Sequence, residues 1–148
     1  METKIPPPIV TLAFGLSIYF SRGMFPAVQA WYSFYIGIFL LVLGFFILIS
    51  AVRLFRKDKT TVNPLSPDQA TKLVTDGIFK YSRNPMYLGM ALVLSSITVF
   101  FNLIGGIILI ALFCAYITKF QIIPEERAMR DLFSDDFDEY IKVTRRWV

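Results

Sequence analysis

The chain has 148 residues, room for one domain and too few for two ordinary ones. Hydrophobic residues make up 55% and charged residues 18%, with a net charge of +4 and a mean hydropathy of +0.58. A soluble domain carries about 25% charge, so this chain lacks the polar surface to face water on all sides. Three blocks, Ile5–Ser21, Gly23–Val52 and Asn84–Thr118, hold no charge over 82 residues and predict an integral membrane protein. The chain has no histidine and one cysteine, Cys114, which excludes a Ser-His-Asp triad, a Cys-His pair, HExxH zinc chemistry and an intrachain disulfide. No GxG and no GxxxxGK[ST] occurs, so Rossmann-type and P-loop nucleotide sites are excluded too. The basic residues flank apolar spans, the placement expected of a membrane protein and not of a nucleic-acid binder.

In chain order, Pro6-Pro7-Pro8 precedes a short apolar run, and proline suits a first helical turn, so a helix is expected over about 8–21. Ser21–Ala30, with Gly23 and Pro26, reads as a loop. A signal peptide cleaved near Val28-Gln29-Ala30 is a rival reading of the same stretch, which Glu2 and the triple proline fit poorly. The clearest span is 31–52, with Trp31, Tyr32 and Tyr35 at one interface and Arg53, Arg56 and Lys57 at the other. Ser33, Gly37 and Gly44 form a small-residue stripe for close helix packing, within the chain or between copies. The third block is too long for one span, and Asn102 and Gly105-Gly106 predict a turn between two arms, 85–100 and 103–120. Both arms are short for a bilayer, which implies local thinning or tilt.

Arg53–Arg83 holds seven Lys and Arg, the segment from Lys119 onward six, and Lys4 one more; Arg22 is the lone cation on the other side. Four spans with both termini, loop 53–84 and tail 121–148 in the cytoplasm satisfy this distribution. Ser66-Pro67-Asp68-Gln69 has the form of a capping box and predicts a short helix to about Val74, and Asp76-Gly77 marks a turn. In the tail, Pro124-Glu125-Glu126 predicts a helix start with acid at its positive end. Met129, Leu132, Phe133, Phe137, Tyr140, Ile141, Thr144 and Val148 make the tail amphipathic, with Ser134-Asp135-Asp136 a candidate break into two helices, and lay it on the membrane surface or the bundle.

No ionisable residue lies inside an apolar block, which disfavours a proton-coupled transporter and moves any chemistry to the cytoplasmic face. Two clusters meet there. Around Arg83, Asn84 and Pro85, loop 53–84 enters the third span; Asn84 is a suitable N-cap, and the same helix end beside Arg83 would suit a carboxylate or phosphate. Around Pro124, Glu125 and Glu126, the fourth span leaves the membrane; the acids complement the helix dipole or serve a ligand. A hairpin returns both clusters to one side, where opposed charges suit a zwitterion.

The run from Leu73 to Gly89, through Tyr81, Arg83, Asn84, Pro85, Met86 and Tyr87, resembles the Gly-x-Tyr-x-Tyr-x-Arg-His-Pro-x-Tyr-x-Gly stretch of the isoprenylcysteine carboxyl methyltransferase family, which takes in phospholipid methyltransferases. Glu125-Glu126, then Phe133, Tyr140 and Arg145-Arg146-Trp147, resemble the ending of that family, and Lys59–Pro64 and Ile5–Pro8 its small bacterial branch. The resemblance covers 59–148 well. Asn84 stands where many members have histidine and cannot titrate near neutrality.

The resemblance implies an all-α integral membrane methyltransferase of four transmembrane helices, the last two a hairpin, plus an amphipathic C-terminal helix, in a cell membrane of bacterial type. It implies S-adenosylmethionine as cofactor, with Tyr81, Arg83, Asn84, Pro85, Met86, Tyr87, Gly89, Glu125 and Glu126 around it and Arg83, Glu125 and Glu126 as the catalytic candidates. The two glutamates would hold the ribose hydroxyls or the ammonium, in roles the sequence leaves undivided. The acceptor would be a lipid or lipidated small molecule from the bilayer: a prenylcysteine-like carboxylate, a phospholipid amine or a small thiol. For an amine acceptor, Glu125 or Glu126 is the candidate base. The alternative, from another class, is a non-catalytic membrane scaffold whose tail recruits a partner. Metal and nucleic acid are not expected, and the oligomeric state is open.

Overall fold

A computed structural model describes residues 5–28, 30–58 and 71–148. Among these the chain is all-helical: α1 (Pro7–Phe20), α2 (Ser33–Lys57), α3 (Pro85–Phe101), α4 (Leu103–Ile117) and α5 (Ile123–Val143), with short 3-10 turns at Ser21–Met24 and Gly77–Lys80. Two helical stretches, Ser33–Lys57 and the continuous Leu103–Val143, are long and apolar enough to cross a membrane; α3 is apolar but shorter. Helices α1, α2, α3 and α4 stand where four helices were expected, with shifted ends. α2 starts two residues later than expected and runs on to Lys57, since Arg56 and Lys57 favour the negative end of the helix dipole.

α3 is the central helix. α2 packs along one side of it, while α1 and α4 pack on others and against each other. The α2–α3 contact depends on glycine: a Cβ on Gly44 would stand 2.9 Å from the Gly89 carbonyl oxygen, and one on Gly89 would stand 2.7 Å from Leu48. Gly37 and Gly44 of the small-residue stripe are therefore spent inside the chain. Ser33 is not part of that contact; its hydroxyl accepts from the Ala30 amide at 3.1 Å. The main core gathers Ile18, Leu94, Phe113, Ile117 and Ile122.

The hairpin turns at Asn102 alone. Gly105 and Gly106, expected within the turn, lie inside the first turns of α4 and are buried. Their missing side chains admit Phe25 and Thr98, which a Cβ at either site would strike. Asn102 closes the turn. Its side chain accepts from the Gly105 amide at 3.0 Å and donates to the Ser21 hydroxyl at 3.0 Å.

At the other end no loop separates the fourth span from the tail. α4 passes into a π-helical turn, Thr118–Ile122, and directly into α5. Pro124 explains the widening: it has no N–H for the ladder and its ring crowds the preceding turn, so the helix takes up an extra residue there. α5 is kinked at Ser134, which sits at φ +41°, the break expected near Ser134-Asp135-Asp136. The tail lies on the bundle. Phe137 and Tyr140 are buried with Ala51, Val74 and Phe79, although Leu132 and Val148 of the expected stripe remain exposed. Gly77 turns the loop toward α3 at φ +58°. Of the helix expected over 66–74, residues up to 70 and the Lys59–Pro64 run lie outside the described residues; Thr71–Val74 is not helical.

Candidate active site

The N-terminal end of α3, the start of α5 and the last residues of the chain converge on one polar centre. Glu126 holds it together. Its Oε1 accepts from Arg83 at 2.8 Å and from Arg146 Nε at 3.0 Å, and its Oε2 accepts from Arg146 at 2.7 Å. The Arg83 and Glu126 side chains are only 9% and 14% exposed. Burial alone would raise the Glu126 pKa, but hydrogen bonds and charge from Arg146 and Arg83 prevail and hold it below the usual carboxylate range.

Beyond α5 the chain continues as an extended strap over the start of α3. The Arg83 amide donates to the Arg145 carbonyl at 3.0 Å, and the Arg83 guanidinium donates to the Thr144 carbonyl at 2.9 Å. Trp147 Nε1 reaches the Thr118 hydroxyl at 3.3 Å, tying the strap to the π turn. Asn84 belongs to the same fastening. Its side-chain amide donates to the Arg146 carbonyl at 3.0 Å and makes no cap hydrogen bond to α3. Asn84 thus occupies the N-cap position without capping: the strap claims its side chain. With Pro85 opening the helix and the Leu88 amide bonded to the Asn84 carbonyl, the Met86 and Tyr87 amides are the ones that Asn84 does not cap.

Glu125 is a different kind of group from its neighbour. Its Oε1 accepts a hydrogen bond from the Tyr87 hydroxyl, and Oε2 has no partner among the described residues. Burial raises its pKa to about 7; the Tyr87 hydrogen bond offsets part of that rise and the charge of Glu126 adds to it. Two adjacent carboxylates therefore have opposite electrostatics. Glu126 is an ionised structural anion, and Glu125 a carboxylate poised between its two forms.

The other sequence candidates have varied positions. Pro85 is fully buried at the start of α3, and Met86 packs toward the tail cluster of Phe79 and Phe137. Gly89 faces α2, away from the glutamates. Tyr81 is 76% exposed and points out of the centre. Arg146 and Thr144 are part of the centre although neither was among the candidate site residues; the Arg145-Arg146-Trp147 ending signalled the first, and the inward stripe of the tail the second. Cys114 lies within α4, eleven residues before Glu125, and among the described residues no group of His, Cys, Asp and Glu could hold a metal ion.

This is a set of hydrogen-bond acceptors and helix amides on one side of the bundle, assembled from the two stretches whose resemblance to methyltransferases the sequence carries. No curated protein and no solved structure matches the chain. The profile of the phospholipid methyltransferase family, whose members methylate lipid-type substrates, matches residues 32–136, from the start of α2 into α5. The chain belongs to the phospholipid methyltransferase family.

Proposed function

We propose that the protein uses S-adenosylmethionine to methylate a lipophilic, membrane-embedded acceptor at the cytoplasmic face of the membrane. It would cross the membrane four times, with both termini, loop 53–84 and tail 121–148 in the cytoplasm, residues 1–148 forming one domain. One observation carries the reading: a largely buried carboxylate, Glu125, is held by Tyr87 with an oxygen to spare, beside the uncapped start of α3.

The residues fit the cofactor. Ribose hydroxyls or an ammonium need an acceptor inside the protein, which Glu125 offers. A carboxylate needs amides or a guanidinium, and the first turn of α3 offers amides; Arg83 and Arg146 both bond Glu126, although Arg83 Nε has no partner among the described residues. When bound, S-adenosylmethionine supplies an electrophilic methyl group on a sulfonium. The work left to this chain is to align and to exclude water. Glu126, Arg83 and Arg146 fix the strap, Asn84 secures it to α3, and Tyr87 orients Glu125. A carboxylate or thiolate acceptor needs no base. For a phospholipid amine, Glu125 is the residue whose pKa near 7 lets it take the proton, and Glu126 is committed elsewhere.

Calorimetry of S-adenosylmethionine binding to the detergent-purified protein, with Glu125→Ala in parallel, tests the proposal. Saturable binding that the substitution abolishes is expected. A folded, monodisperse sample silent to both S-adenosylmethionine and S-adenosylhomocysteine would overturn it.

A further inference from the structure

On the outer side of the strap, two stretches of chain far apart in sequence are fastened edge to edge. The Tyr140 hydroxyl donates to the Phe79 carbonyl at 2.6 Å, the Thr144 hydroxyl to the Lys80 carbonyl at 3.5 Å, and the Arg83 amide to the Arg145 carbonyl at 3.0 Å. These bonds turn Tyr140 and Thr144 inward and leave their neighbours outward. Val143 is 80% exposed and Tyr81 76% exposed, more open than Val148 at the strap terminus, at 70%. Around them stand Lys80, Lys142 and Arg145, all exposed. Two acids lie near this set: Asp76, 3.7 Å from Lys80 with both side chains mostly open to solvent, and the exposed Glu139, one turn before Val143 on α5.

Exposed Tyr and Val ringed by cations on a fixed backbone match neither a solvated face nor a core. They match the boundary between lipid headgroups and acyl chains, where an aromatic ring and a branched side chain enter the apolar layer and the cations meet lipid phosphates. The patch also adjoins the membrane without a gap, for Tyr81 lies four residues before the apolar helix α3.

We propose that Lys80, Tyr81, Lys142, Val143 and Arg145 form a seat for the anionic cytoplasmic leaflet. It rests on the membrane topology proposed above, and it sets the height at which the Glu125 centre meets the headgroups. Each cation near an anionic surface strengthens association about fivefold, so three together contribute on the order of a hundredfold.

The test places spin labels at Val143→Cys and, separately, at Phe39→Cys on the exposed face of α2, both in a Cys114→Ala background. Each protein is reconstituted in phosphatidylcholine vesicles with or without phosphatidylglycerol. Collision with oxygen and with a water-soluble nickel chelate reports depth. The expected result is a Phe39 label deep in the acyl layer in both lipids and a Val143 label at the headgroup boundary, deeper with phosphatidylglycerol. High salt should reverse that increment, and Lys80→Glu with Lys142→Glu and Arg145→Glu should abolish it. A deep Phe39 label with a Val143 label open to the chelate in every vesicle overturns the seat alone and leaves the patch to a protein partner. A water-exposed Phe39 label overturns the membrane topology on which the seat rests.

Discussion

Two asparagines open two helices of the same hairpin, and their side chains do opposite things. Asn102, at the turn, bonds back onto the Gly105 amide of its own helix and across to Ser21. The Gly105 and Gly106 amides of that helix start are both met by Asn102 itself, as in a structural end. Asn84, at the start of α3, gives its side chain to the strap and leaves the first-turn amides of α3 without a cap. On the function proposed above, the uncapped end is the one kept for the ligand, and the capped end is structural.

The largest effect should come from removing what closes the reserved end. Glu126→Ala leaves the buried Arg83 and the half-exposed Arg146 without their counter-charge, and is expected to cost about 3 kcal/mol. Thermal unfolding in detergent measures it, and a fall in melting temperature of less than a degree would show that the strap is held by other contacts. Glu125→Gln, one residue away, is expected to leave the melting temperature within a few degrees of the parent while weakening S-adenosylmethionine binding at least about tenfold.

The same residue predicts a pH dependence of definite sign. Folded Glu125 keeps its proton up to about pH 7, whereas the unfolded chain releases it near the ordinary value of 4.5. The folded state thus holds more protons across that interval. The contribution of Glu125 to stability is complete below pH 4.5 and is lost as pH rises through 7. Ligand affinity should move the other way and strengthen from pH 6 to 8 as the carboxylate ionises. Melting curves and titrations at several pH values check both slopes, which Glu125→Gln should flatten.

The smallest effects sharpen the asparagine comparison itself, because one substitution can be made at both ends. Asn102→Asp keeps the acceptor for the Gly105 amide and loses the donor to Ser21, a change of under about 1 kcal/mol with no change in ligand affinity. Asn84→Asp cannot donate to the Arg146 carbonyl and puts a negative charge at the α3 amides. It is expected to cost about 1 kcal/mol and to weaken S-adenosylmethionine binding severalfold. Equal binding by the two variants would abolish the distinction between a closed and a reserved end.

Much of this arrangement was legible because it depends on apolar pattern and on proline. Pro7 and Pro85 mark the starts of α1 and α3, and the uncharged blocks give the helices. The pairing of the Arg83 stretch with the glutamates followed from a hairpin's return to its starting side. What could not be read depends on choices between nearly equivalent partners. Gly105-Gly106 has the composition of a turn, and only the packing of Phe25 and Thr98 shows that the pair serves close contact instead. Asn84 is a sound N-cap by type, but a carbonyl more than sixty residues onward competes for it. Adjacent glutamates are alike in sequence; on a helix they point about 100° apart, so one meets the arginines and the other Tyr87.

Which glutamate meets which partner is decided upstream of both. A π turn advances fewer degrees per residue than an α turn, so the five residues Thr118–Ile122 delay the phase of everything after them by roughly 90°. Wound as ordinary α-helix over the same residues, α5 would be rotated by about one position. Glu125 would then point where Glu126 now meets its arginines, and Pro124 would point toward Tyr87. The identity of the ionisable group in the centre is therefore written in the winding of a neighbouring stretch: with that stretch wound as ordinary α-helix, the arginines would keep a carboxylate and Tyr87 would lose one.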